Sequence, residues 1–276
     1  MVLEQLFKTK WLERRPLYSI ILGFVFVFIG LVTALVFFEN DISIAVLFLV
    51  TLLLVPSLMK LLNLEEKIDR KYGTKSFFKN HKVIWEIYLF LFIGIFIAYL
   101  VIGFGAGDKL DDISKQQMVV LNEEGLTAEE MVDFSLSEKA GNAFGIFSEN
   151  LLVGLIFFIL SLFYGAGAIF LIVWNASIFS TFIVMTINNI SQGVPQAAGL
   201  LGAFAIHLVP EVFGFLIAAI AGGILSRALI REKFGGQAMR NVIKDVTVLM
   251  VISFVILLIA AFLEVFVSAG VMRSLV

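Results

Sequence analysis

Two side chains in this sequence combine reactive chemistry with a spacing that brings them together inside an apolar run. His207 and Glu211 are four residues apart, so they project from one face of any helix that carries them. An imidazole beside a carboxylate can relay a proton, line a polar path for a substrate, or clasp two helices. Counted from Ala197, where their apolar run starts, they lie about 15 Å and about 21 Å along a helix of ordinary rise. Ionisable groups at membrane depth are costly unless they are paired or turned towards protein. Pro210 stands between them and cannot donate to the carbonyl of Ile206, so a bend is expected there. Gly214, Ala218, Gly222 and Ser226 follow at intervals of four, a ridge of small residues that lets another helix approach closely. The pair reads more simply as an interhelical clasp beside that ridge than as a path for substrate or protons.

Two amides complete the intramembrane polar set. Asn150, after Ser148 and Glu149, reads as the cap that opens a span. Asn175, after Trp174, reads as an interfacial turn with the indole as its anchor. Glu264, near the outer end of the last span, reads as reaching the headgroups. A zinc-protease helix needs two histidines and a glutamate, but the chain holds only His81 and His207, and no cysteine. Ser161, Ser177, Ser180 and Thr181 sit in no nucleophile-elbow pattern. No catalytic residue, metal site or cofactor is therefore expected.

The elements that must position these residues follow from composition. Of 276 residues, 60% are hydrophobic and 15% charged, and the mean hydropathy is +1.02. Soluble domains carry about 25% charged residues, and a fold of this size could not hide so much apolar side chain. The composition excludes a soluble enzyme, a disordered chain and a nucleic-acid binder. The runs are long enough for helices of about 20 residues, not barrel strands. The fold class is all-α, a polytopic transmembrane bundle of about seven spans. They are 17–38, 43–62 (with Pro56 as a kink), 83–104, 150–174, 176–187, 197–230 and 246–269. The fifth is short, and could instead re-enter the membrane. Gly154, Gly165 and Gly167 read as packing positions.

Charge sets the expected sidedness by the positive-inside rule. The N-terminal segment to Arg15, the stretch Asn63–Lys82 and the turn from Arg227 to Lys244 are basic and expected to face the cytoplasm. The stretch Asp108–Glu149 holds ten acids against three lysines and is expected outside, as is the C-terminus. Within it, Thr127–Ala128–Glu129–Glu130 has the form of a capping box. The basic segments lack a nucleic-acid motif, so headgroups are their expected contact. Three regions result: 1–106 with three spans and a basic loop, 107–147 as an acidic extracytoplasmic segment, and 148–276 as a four-span bundle.

The C-terminal half resembles the stage II sporulation protein M family of polytopic membrane proteins, in particular its archaeal members. The resemblance rests on Ser148–Glu149–Asn150, Phe163–Tyr164–Gly165 and Trp174–Asn175, then on His207 through Glu211, Val212–Phe213–Gly214–Phe215 and Ala221 through Ser226. Leu208 and Ala176 stand where the family pattern has glycine. The resemblance implies a plasma-membrane scaffold that works with separate peptidoglycan-degrading partners and is not itself the hydrolase. It also makes the first two spans an addition to a five-span core. The expectation is a non-enzymatic scaffold whose acidic outer segment engages a protein partner. The alternative is a transporter or lipid-moving protein with a polar path at His207 and Glu211. Membrane lipids are expected partners, nucleic acid is not, and homo-oligomers are left open. Glu211→Ala is expected to destabilise the bundle by depriving His207 of its partner.

Overall fold

The computed structural model describes the backbone of residues 12, 14–39, 41–72, 77–123, 136–164, 167–191, 193–233 and 235–275; side chains are described for these except 59–81, 108, 122–140, 167–168 and 190. The capping box at 127–130, the His81 side chain and most of the basic N-terminal segment lie outside the described residues. The described chain is helical throughout. Helix α1 is Tyr18–Phe37, α2 Ile42–Tyr72 and α3 Phe77–Gly105. After a 3-10 turn at Gly107–Lys109 come the short helices α4, Leu110–Ile113, and α5, Lys115–Glu123. Helix α6 is Leu136–Tyr164, α7 Gly167–Ile190, α8 Val194–Arg231 and α9 Gln237–Leu263. A π-helical turn, Glu264–Ser268, leads into α10, Ala269–Leu275.

Among the described residues six helices are long and apolar enough to cross a membrane, and the apolar part of α2, Ile42–Leu58, is a shorter seventh. An all-α polytopic bundle is thus observed, with one helix for each expected span. Hydrocarbon accounts for the apolar side chains left outside, such as Val36, Phe37, Phe163 and Ile230. Two surface furrows, along Phe24–Thr33 and Leu258–Val267, are lined almost wholly by apolar groups.

Several expected boundaries move, most of them because a helix runs on past the apolar run; the expected fourth span, 150–174, is instead divided, since α6 ends at Tyr164 and α7 opens at Gly167. The basic stretch 63–82 belongs largely to the ends of α2 and α3, whose described helices stop at Tyr72 and resume at Phe77. Helix α6 opens at Leu136, so Asn150 lies in its interior and caps nothing. The break expected at Asn175 is absent: α7 runs unbroken through Trp174 and Asn175, and Asn175 Nδ2 donates to the Leu171 carbonyl at 2.9 Å. That bond satisfies one of the amide's two protons within its own helix. The fifth expected span is therefore not a short piece; its apolar window, Ile169–Asn189, has 21 residues, long enough to cross a membrane. Both α2 and α8 continue as single helices through Pro56 and Pro210. The turn between α8 and α9 contains Gly235 at φ 82°, the left-handed region that glycine enters without steric cost.

Helix α8 is the centre of the C-terminal half. Of its apolar window 78% is buried, against 33% for α1 and 17% for α6. It packs chiefly on α9 and α6. The ridge explains why. Any Cβ at Gly222 would overlap the Phe158 carbonyl oxygen of α6, and one at Gly214 would meet Leu257 of α9. Ala218 is fully buried and Ser226 half-buried. Ser253 of α9 donates to the Gly214 carbonyl at 2.8 Å, fastening the same crossing.

Candidate functional site

Helix α8 enters through Gly193 and Pro195, with proline at a first-turn position whose N–H has no helical partner in any case. Thirteen residues into it, the i, i+4 spacing puts His207 and Glu211 on the buried face, with 8% and 6% of their surfaces exposed. Phe204 packs edge-on against the imidazole, its ring centre 6.2 Å away.

The facing element is the π turn. Helix α9 packs along α8, and its last turn widens at Glu264–Ser268. Such single π turns re-aim side chains and often mark functional sites. Here the turn directs both of its end residues at α8. Ser268, fully buried, lies with its hydroxyl oxygen 2.9 Å from His207 Nδ1. Glu264 joins the pair: one ligand atom each of His207, Glu211 and Glu264 lie within 4.8 Å of one another.

Glu264 is therefore not a headgroup-seeking residue, as its position near the end of the run implied; it is half-buried and faces the cluster. The partner of His207 also differs from expectation. Ser268 holds its Nδ1, so Glu211→Ala leaves that hydrogen bond in place. Of the four polar candidates, the structure brings together His207 and Glu211 and adds Glu264 and Ser268. Asn150 is half-buried in α6, and Asn175 bonds back within α7. No hydrogen bond or salt bridge to the Glu211 or Glu264 carboxylate occurs among the described residues. Glu149 of α6, an exposed carboxylate, lies close enough to interact with Glu264.

Chemically, the cluster offers one imidazole nitrogen and two carboxylates at the junction of two helices. That donor set can bind a divalent cation or share a proton. Ser268 and Glu264 were not legible as members. Only a helix with a widened turn places them together against α8, and nothing in residues 264–268 marks that turn in advance.

A second polar junction lies where the acidic segment meets the bundle. Gln117 of α5 is buried, with 1% of its surface exposed. Its Oε1 accepts from the Ser43 hydroxyl of α2 at 2.7 Å, and its Nε2 donates to Ser177 Oγ of α7 at 3.0 Å. Ser177 passes its own proton to the Trp174 carbonyl at 2.7 Å, and the Gln116 N–H donates to Ser43 at 3.3 Å. Every polar atom named has a partner, which makes the junction stiff. The acidic stretch is thus no loose cap at its start; α5 is plugged between two long helices.

Residues 87–269 match the family model described as Stage II sporulation protein M. The match opens within α3 and takes in α5, the whole His207 cluster and the π turn. It is wider than the motifs at 148–231 and leaves α1 and α2 ahead of it. No curated protein and no solved structure matches the chain.

Proposed function

The chain belongs to the stage II sporulation protein M family, and from that membership we propose that it is a non-enzymatic integral membrane scaffold that positions a protein partner through its acidic outer segment. The observation that carries this reading is the Gln117 junction. A scaffold must hold its docking segment at a fixed place relative to the membrane. Gln117 ties α5 to α2 and α7 at once, and Asp111 and Asp112 stand exposed just before it. By the positive-inside rule this face is extracytoplasmic in the plasma membrane. A partner with a basic surface fits it, and the role is similar to that of the sporulation protein in envelope remodelling.

A second reading is favoured by one observation. Glu264 beside His207 and Glu211 is the kind of ionisable grouping that marks ion or proton paths in membranes. A transporter or lipid-moving protein would use it. The test is affinity purification of the full chain from native membranes after cross-linking. The scaffold reading expects a protein that co-elutes with the wild type and falls at least tenfold with Asp111→Lys and Asp112→Lys. Unchanged recovery with both variants defeats it, and solute or lipid flux in vesicles holding the pure chain establishes the second reading.

A further inference from the structure

We propose that His207, Glu211 and Glu264 form a binding site for one divalent transition-metal cation of the zinc class, held where α8 meets the π turn. The inference is independent of the scaffold reading.

Charge is the first argument. Two carboxylates lie within 4.8 Å of each other and of the imidazole, and Glu211 is almost fully buried. Among the described residues neither carboxylate has a hydrogen bond or a basic partner. Arg273, on the following turn, is exposed. Unpaired charge of one sign in a low-dielectric interior is strongly unfavourable. A dication neutralises two carboxylates and a neutral imidazole completely, whereas a monovalent ion leaves one negative charge over.

Donor type and geometry are the second. An imidazole nitrogen with two carboxylates is a donor set suited to zinc and its neighbours, with three protein ligands and an open position. Calcium and magnesium prefer six or more oxygens. Ligands about 2 Å from zinc at tetrahedral angles stand about 3.3 Å apart, so the cluster need contract only by small torsions of the two glutamates.

The third argument is the serine. Metal-binding histidines engage their other ring nitrogen with an acceptor, which fixes the tautomer. Ser268 Oγ stands 2.9 Å from Nδ1; with that hydroxyl accepting the Nδ1 proton, Nε2 keeps its lone pair for the metal. Ser268 is a positioning residue, and the π turn that presents Glu264 also presents Ser268 four residues on.

The test uses the full chain in detergent or nanodiscs, stripped with dipicolinate and titrated with zinc chloride against a chelating dye. About one zinc per chain is expected, with an increase in thermal stability on loading. Glu211→Gln and Glu264→Gln should each weaken binding at least tenfold. Ser268→Ala should weaken it about 10- to 100-fold, and Thr247→Ala, on the outside of α9, should not. Cobalt provides a reading on the wild type alone: intense visible d–d bands are expected, and they serve if the glutamine variants do not fold. Failure of stripped wild type to take up zinc, zinc binding that survives the Glu211→Gln/Glu264→Gln double variant, weak six-coordinate cobalt bands, or preference for calcium or magnesium would each overturn the proposal.

Discussion

Helices α1 and α8 each meet a neighbour at a glycine, yet what surrounds the two crossings differs. In the N-terminal region a Cβ at Gly94 of α3 would overlap the Ile20 carbonyl oxygen of α1, and one at Gly23 would meet the Leu91 carbonyl. The side chains around this crossing include Leu22, Phe26, Leu91 and Ile95, all apolar and buried, with the buried Ser19 hydroxyl beside them and, among the described residues, no buried charged group. In the C-terminal region Gly222 meets the Phe158 carbonyl just as closely, but the same helix also buries His207 and Glu211 against a widened turn. Close approach by glycine gains dispersion contacts wherever it occurs. Buried carboxylates work against stability, so a protein that, among the described residues, keeps them in one region and not the other spends them on something besides packing. The family match fits this division, since it leaves α1 out and takes in all of the cluster.

The comparison can be broken or sharpened by substitution, with unfolding followed in detergent. The largest effects belong to the two crossings. Gly94→Ala and Gly222→Ala each set a methyl on a backbone carbonyl that cannot rotate away, and each should cost about 1–3 kcal/mol. Loss at only one of them would show that the two crossings do not bear comparable packing. Next is Gln117→Leu, which removes two interhelical hydrogen bonds and should cost about 1–2 kcal/mol. It should also loosen α5, read as faster amide exchange over 115–121. A smaller effect of opposite sign is expected at Gly202, on α8 but with nothing near an added Cβ. Gly202→Ala should stabilise by about 0.8 kcal/mol through helix propensity. Destabilisation there would mean that α8 tolerates no added methyl anywhere. The smallest is Ser253→Ala, which deletes the bond to the Gly214 carbonyl for about 0.6 kcal/mol.

Much of the fold was legible residue by residue. The ridge from Gly214 to Ser226 announced a close crossing because only small side chains at intervals of four leave room for a second backbone. His207 and Glu211 announced a common face because the helical repeat allows nothing else. Asn150 and Asn175 misled for a shared reason. An amide in an apolar run resembles a boundary, but a helix absorbs it when its N–H bonds back to a carbonyl four residues earlier, as Asn175 does with Leu171. Gln117 lay hidden in a polar stretch, since burial of one amide depends on two serines 74 and 60 residues away.

Hydrophobic content and run length alone determined that this chain lives in hydrocarbon as helices, because in that solvent every backbone polar group must be satisfied within its own segment. Which polar side chains meet was decided only by tertiary structure. Glu264 and Ser268 reach His207 through a single widened turn and the packing of α9 on α8. Such a meeting depends on shape summed over two whole helices, and no short stretch of sequence contains that sum.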